Sequence, residues 1–300
     1  MSQIKANGIA IEYDIHGPAD GEPLLLIMGL GAQMTRWPEA FCEKLGARGF
    51  RVIRYDNRDA GLSEKIEAAG VPDLQAVFAA VMSGQPAQVG YTLTEMAADG
   101  VGLLDALGID RAHVVGASMG GMIAQLIAAD YPQRTLSLTS IMSTSGDPGL
   151  PPATQAALGV LANRGPDPFG DLEGYLTHSA AGAAIIGSPG YPPDPASLRE
   201  RLTSDVKRSY YPIGFARQYA AVLASPARTA KLAGVTAPSV VVHGEDDPLV
   251  PVAHGRHTAE SIPGAELKVI PGMGHDLPEP LFDPIIDAIE AVARRSHARA

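Results

Sequence analysis

Residues 112–132 read AHVVGASMGGMIAQLIAADYP, and this stretch decides the fold. Its apolar first half predicts a buried strand, and its second half predicts a helix that begins at Met119. Between them, GASMG (116–120) fits the G-x-S-x-G pattern of a nucleophile elbow, in which a strand turns sharply into a helix. The turn is so tight that only glycine fits two positions either side of the serine, whose Oγ is left exposed. We therefore expect Ser118 to be a nucleophile.

A serine hydroxyl is a weak nucleophile until a neighbouring base can take its proton. Among the eight histidines, His275 has the best context, because it lies in PGMGHDLPE directly after the last predicted strand. A loop of small residues at that point can bring an imidazole over the edge of the sheet. His254 and His257 form H-x-x-H without a third ligand, so we expect no metal there. His275 is the predicted base.

The acid that orients this histidine should also follow the end of a strand. VVVHGEDDPLVP (240–251) places Asp246 and Asp247 directly after a buried apolar run, in a turn that contains two prolines. The position of the strand alone does not decide which of the two carboxylates orients the histidine.

An oxyanion needs backbone N–H donors. One donor is expected from Met119, at the start of the helix that follows the serine. LLLIMGLG (24–31) supplies a strand and a Gly-x-Gly turn that lets a ligand approach the backbone closely. This turn predicts Leu30 as the second donor, with Gly31 as the alternative. Four apolar side chains are predicted to line the substrate pocket: Met28, Trp37, Met142 and Phe215.

Composition narrows the class of protein. The chain has 300 residues, of which 46% are hydrophobic, and this fits either one large globular domain or one domain that carries a sizeable insertion. A net charge of −10 argues against a basic surface that binds the phosphate backbone of nucleic acid, so nucleic acid is not an expected partner. The single cysteine, Cys42, excludes an internal disulfide framework. No segment is long and apolar enough to span a membrane, so we expect a cytoplasmic protein, with its oligomeric state left open.

The order of apolar runs predicts the architecture. Alternation over residues 4–13 around Asn7-Gly8 predicts an antiparallel hairpin, and six later apolar runs separated by helical segments predict a mostly parallel α/β sheet. Residues 147–230 contain no buried strand but hold 11 of the 25 prolines, which predicts short helices broken by rigid turns. We interpret this stretch, called here the cap segment, as a helical lid inserted into a core formed by residues 1–146 and 231–300.

Taken together, these motifs resemble those of α/β-hydrolase-fold serine esterases. The resemblance covers residues 3–145 and 237–293 and is carried by LLLIMGLG, RVIRYDNRDAGLS, GASMGG, HGEDDPLVP and IPGMGH. In that family the acid takes the form G-x-x-D before an apolar-Pro turn, which implies Asp247 rather than Asp246. The order serine, acid, histidine also matches the family. One departure is Met28-Gly29, where many members have His-Gly, although the backbone donors are unaffected.

A closer likeness is to methylesterases of the aclacinomycin type, which act on anthracycline polyketides. The resemblance implies hydrolysis of a small-molecule carboxylic ester by Ser118, Asp247 and His275, without a metal or an organic cofactor. We expect general carboxylesterase activity, with methylesterase activity as a narrower hypothesis. Lactonase, C–C bond hydrolase and perhydrolase activities remain open because they use the same triad, as does a weakly catalytic receptor for a small ligand.

Overall fold

An eight-stranded sheet forms the centre of the computed structural model, which describes residues 2–297. The strands are β1 (Ser2–Ala6), β2 (Ile9–His16), β3 (Glu22–Ile27), β4 (Phe50–Tyr55), β5 (Ala112–Ala117), β6 (Thr135–Ile141), β7 (Ser239–Gly244) and β8 (Glu266–Ile270). Their order across the sheet is β1-β2-β4-β3-β5-β6-β7-β8. Strands β3 to β8 are parallel, whereas β1 and β2 pair antiparallel. The predicted fold class, a mostly parallel sheet with an N-terminal hairpin, is confirmed.

The hairpin follows from its turn residues. Asn7 and Gly8 have φ values of 48° and 86°, and a two-residue turn with both φ values positive matches the twist of the flanking strands. Ala6 consequently pairs with Ile9, and Ile4 with Ile11. The ends of the predicted core, Met1 and 298–300, lie outside the described residues.

Helices cover both faces of the sheet. Within residues 2–297 the α-helices are α1 (Glu39–Ala47), α2 (Leu74–Met82), α3 (Leu93–Ala106), α4 (Met119–Asp130), α5 (Gln155–Ala162), α6 (Leu172–Ile186), α7 (Pro195–Arg208), α8 (Pro212–Ala224), α9 (Thr229–Leu232), α10 (Val252–Ser261) and α11 (Phe282–His297). No sequence pattern marks α2 as a helix. Its sequence, LQAVFAAVM, is apolar almost throughout and buries Val77 alone, so no periodic apolar face marks it as a helix.

Two large apolar clusters form the core around the sheet, one on each face, and a small third cluster of Leu176, Leu198 and Leu202 lies in the cap segment. Alternate residues of β3 enter opposite clusters: Leu25 and Ile27 pack with side chains of α3 and α4, whereas Leu24 and Leu26 pack with side chains of α1 and α11. Burial on both faces explains why the parallel strands are continuously apolar. Because the strands are parallel, β5, β7 and β8 all end at the same edge of the sheet, where the predicted site residues follow them.

The chain between β6 and β7 leaves the sheet. Its described residues, from 142 to 238, contain the helices α5 to α9 and no strand. This agrees with the absence of a buried apolar run in the cap segment. None of the helices within residues 2–297 combines the length and the apolar character needed to cross a membrane.

Candidate active site

The turn between β5 and α4 holds Ser118 in a strained conformation. Its φ is 55° and its ψ is −120°, a backbone region that side chains other than glycine rarely adopt. A Cβ added to Gly116 would lie 2.0 Å from the Gly120 carbonyl oxygen, so the glycine is required by close backbone approach. The Ser118 N–H donates to the Ile141 carbonyl at 2.9 Å, and Ser143 Oγ donates to the Ser118 carbonyl at 2.7 Å. These contacts fix the serine at the carboxyl edge of the sheet.

Three predicted site residues from distant parts of the chain meet at this edge. His275 Nε2 lies 2.9 Å from Ser118 Oγ, and His275 Nδ1 lies 2.7 Å from Asp247 Oδ2. The Asp247 side chain has no exposed surface, and that of His275 is 8% exposed. The two hydrogen bonds use both nitrogens of the imidazole, so they define its orientation. The arrangement can move a proton away from Ser118 Oγ.

The turn after β7 aims the carboxylate of Asp247. Its Oδ1 accepts hydrogen bonds from the backbone N–H groups of Leu249 and Val250, at 2.9 and 2.8 Å, which leaves Oδ2 free for the imidazole. Asp246 instead accepts a hydrogen bond from the Gly272 N–H at 2.9 Å. The geometry therefore brings Asp247, and not Asp246, to His275.

A second histidine, not assigned to the site by sequence reasoning, supports this turn. His243 is completely buried, and its Nε2 lies 2.7 Å from the Val250 carbonyl oxygen and 3.7 Å from Asp247 Oδ2. Burial lowers the pKa of the His243 imidazole, which favours the neutral ring. A neutral ring can donate one hydrogen bond to Val250 without adding a charge beside the carboxylate. Its position at the end of β7, four residues before the acid, is the signal that could have identified it.

The loop after β3 lies against the serine. A Cβ added to Gly29 would be 3.1 Å from Ser118 Cβ, and Asn57 Nδ2 donates to the Met28 carbonyl at 2.9 Å. Within residues 2–297, the N–H groups of Leu30 and Met119 donate to no protein acceptor. The N–H of Gly31, the alternative second donor, donates to Gln218 Oε1 at 2.7 Å. Leu30 and Met119 therefore keep the N–H groups that an oxyanion would need.

A cavity of about 330 Å³ extends from His275 to the cap segment. Leu30 and Gly31 line it on the core side, and residues of α5 to α8 line it on the other. Its wall is both apolar and charged, because the Arg164 guanidinium lies 3.9 Å from the centroid of the Phe215 ring. Arg201 also lines the cavity. The wall can thus contact apolar and polar parts of a ligand.

The four predicted pocket residues separate into two groups. Phe215, which is 9% exposed, lines the cavity. Met28, Trp37 and Met142 lie instead in the apolar cluster beneath α1 and α11, and none of them lines the cavity. Trp37, for example, is fully buried and stacks on Phe41 with ring centroids 5.4 Å apart. These three residues lie near the site loops in the sequence, but their side chains point into the core.

Three possible metal ligands lie at the opposite edge of the sheet. His113 Nε2 lies 3.1 Å from Glu22 Oε2, and His297 Nε2 lies 2.8 Å from Glu22 Oε1. His113 Nδ1 lies 2.8 Å from Ser137 Oγ. The Glu22 carboxylate thus already joins both imidazoles and connects the end of α11 to the sheet. These contacts account for the cluster, so we assign no metal to it.

Comparisons with known proteins agree with this architecture. Residues 22–279 match the model of the family described as alpha/beta hydrolase fold. The chain is 32% identical over 304 residues to rhodomycin D methylesterase DauP of Streptomyces sp. (strain C5), covering 93% of each chain. It is 31% identical over 271 residues to the putative carbamate hydrolase RutD of Variovorax paradoxus (strain S110), covering 88% of this chain and 89% of that one. Among solved structures, the meta-cleavage product hydrolase CumD of Pseudomonas fluorescens IP01 matches with a TM-score of 0.74 at 19% identity, covering 99% and 98% of the two chains.

Proposed function

Because the chain belongs to the alpha/beta hydrolase fold family, we propose that it hydrolyses carboxylic esters through an acyl-enzyme on Ser118. The observation that carries this proposal is the continuous hydrogen-bonded path from Asp247 through His275 to Ser118 Oγ, with distances of 2.7 and 2.9 Å. A hydroxyl, a base and an orienting acid in this order are the requirements of nucleophilic acyl transfer.

The reaction proceeds in two halves. Ser118 Oγ attacks the ester carbonyl carbon while His275 Nε2 takes the hydroxyl proton, and a tetrahedral oxyanion forms. Its collapse breaks the bond to the alkoxy group, and His275 returns the proton to the leaving alcohol. Water then gives a proton to His275 and attacks the acyl carbon, which forms a second tetrahedral oxyanion. Its collapse breaks the bond between the acyl carbon and Ser118 Oγ, and His275 returns the proton to Oγ, so that the carboxylic acid leaves and Ser118 is regenerated. Asp247 keeps the imidazole in the tautomer that carries its proton on Nδ1.

The N–H groups of Leu30 and Met119 bind the oxyanion in this proposal. Neither donates to a protein acceptor within residues 2–297, so no internal hydrogen bond has to break when the charge develops. Donors fixed before the reaction stabilise the transition state without reorganisation, and one such donor contributes roughly 10²–10³-fold in kcat.

The similarity to rhodomycin D methylesterase supports methyl esters as the first substrates to test. General carboxylesterase activity remains the broader proposal. The cap segment supplies much of the wall of the cavity, and we propose that it covers Ser118 and selects the acyl and alcohol groups.

A hydrolysis screen tests the proposed function. It would compare methyl, ethyl and longer esters, short activated esters, lactones and cleavable diketones, and would also measure peracid formation. We expect turnover of methyl and short activated esters far above the rate of the Ser118→Ala variant. Turnover confined to lactones, to C–C bonds or to peracid formation would assign the same triad to a different reaction. No turnover with any of these substrates would favour a ligand receptor.

Phe215→Ala is expected to shift selectivity towards bulkier esters by about tenfold, because a pocket contact of this size discriminates by factors of this order. The ring lines the cavity and is 9% exposed, so the melting temperature should also fall by a few degrees, on the order of that expected for partial loss of a packed side chain. The measurement is kcat/KM across the ester series together with thermal unfolding. Phe169→Ala, which removes a ring that is 75% exposed, is the matched control and should change neither property. A large loss of stability with an unchanged ester profile would show that Phe215 serves the core alone.

A further inference from the structure

One buried side chain joins the cap segment to the loop that carries Leu30. Gln218 lies on α8 and has no exposed surface. Its Oε1 accepts the hydrogen bond from the Gly31 N–H at 2.7 Å, and its Nε2 donates to the Arg58 carbonyl at 2.7 Å. Both ends of the amide are therefore used, and both bond to backbone groups of the core.

We infer that Gln218 is a positioning residue for the oxyanion hole, an inference that rests on the proposed function. Leu30 lies between two held points of the backbone, since Asn57 Nδ2 donates to the Met28 carbonyl and Gln218 accepts from the Gly31 N–H. Because hydrogen bonds hold the peptide groups on both sides, the peptide that carries the Leu30 N–H has little freedom to rotate. The bond to Gln218 also occupies the Gly31 N–H, so this group does not compete with Leu30 for the oxyanion.

The helix that carries Gln218 is itself fixed to the core. The neighbouring Arg217 pairs with Asp59 through Nη1 and Oδ1 at 2.8 Å, and the two side chains are 5% and 0% exposed. Arg217 Nε also donates to the Gly70 carbonyl at 2.7 Å. A rigid helix can set the position of the loop, whereas a mobile one would follow it. Because a displacement of about 1 Å at a catalytic group can cost roughly 10²-fold in rate, this attachment is expected to matter for catalysis.

Removing the amide would leave the Arg58 carbonyl without its partner in a buried environment, and would release the Gly31 N–H, which lies in the partly exposed loop that lines the cavity. A buried carbonyl is strongly driven to find a replacement partner, and the loop after β3 would lose the hydrogen bond that holds it at Gly31, so we expect the loop to move. The bound substrate is held by the cavity as a whole, whereas the oxyanion depends on this loop. Loss of the Gln218 amide should therefore weaken binding of the transition state and leave binding of the substrate nearly unchanged.

The test compares the wild type with Gln218→Met, an apolar replacement of similar size, and with Gln155→Met as the control. Gln155 is an exposed glutamine on α5 of the same segment. The readouts are kcat and KM for the best ester and the inhibition constant of a trifluoromethyl ketone, which forms a tetrahedral oxyanion on the serine. In Gln218→Met we expect kcat to fall by about 10–100-fold and ketone binding to weaken by a similar factor, with KM within about threefold. Gln155→Met should match the wild type in all three.

A folded Gln218→Met protein with unchanged kcat and ketone affinity would overturn the inference. So would a raised KM at unchanged kcat, because Gln218 would then act on substrate binding. If Gln218→Met does not fold, Gln218→Asn carries the same expectation, since its amide is one methylene too short to keep both bonds. Wild-type activity in Gln218→Asn would equally overturn the inference. Failure of the proposed function would appear separately, as absence of ester turnover in the wild type.

Discussion

Ser118→Ala is expected to lower kcat/KM for ester hydrolysis by on the order of 10³-fold or more, and His275→Ala by a similar factor, because members of a triad act as a unit. The Ser118 hydroxyl bonds to His275, whereas the elbow itself is held by backbone contacts of Ser118. The fold should therefore survive the loss of the hydroxyl. The measurement is steady-state turnover with circular dichroism and thermal unfolding on the same samples.

Ser204→Ala, which changes an exposed serine on α7, is the control and should retain full activity. Retention of a tenth of the wild-type activity by Ser118→Ala or by His275→Ala, in folded protein, would contradict the assignment of that residue.

Asp247→Asn is expected to lower kcat by roughly 10⁴-fold, because an amide in place of the carboxylate favours the wrong imidazole tautomer. Asp246→Asn is the matched control. The contact of Asp246 is with the Gly272 N–H, which an asparagine oxygen can still accept, so activity should stay within a few-fold of the wild type. The measurement is kcat for both variants on one ester.

The reverse ranking of these two variants would move the orienting acid to Asp246. If neither variant loses activity, Asp147 becomes the candidate for the orienting acid. In the structure its carboxylate lies 3.8 Å from His257 Nε2, so it faces a different histidine.

The parts of the molecule that the sequence predicts well are governed by local patterns. The continuously apolar strands reflect burial on both faces of a parallel sheet, and the hairpin follows from two residues with positive φ. The elbow is predictable because a Cβ on Gly116 would meet the Gly120 carbonyl oxygen, four residues along the chain, whereas a Cβ on Gly120 would meet the Ile27 carbonyl oxygen at the end of β3. Ser118, Asp247 and His275 follow the ends of strands β5, β7 and β8, and the parallel order of those strands brings them to one edge.

The parts that the sequence does not predict depend on long-range contacts and on the direction of side chains. Gln218 and Gly31 are 187 residues apart, and no pattern near either residue indicates the bond between them. Met28, Trp37 and Met142 lie near the site loops in sequence, yet their side chains pack in the same core cluster as residues of α11, which is distant from all three in the sequence. Helix α2 escapes notice for a related reason, since it lacks a periodic apolar face.

The role of Ser118 as the nucleophile is tested by mapping the residue that a serine-directed fluorophosphonate modifies. We expect one adduct per chain, located by peptide mass spectrometry on Ser118, with loss of esterase activity in proportion to labelling. A substrate ester present at saturation should slow the labelling, because acylation and phosphonylation use the same oxygen. Labelling that persists in folded Ser118→Ala protein, or full esterase activity in protein that is fully labelled at Ser118, would show that Ser118 is not the nucleophile.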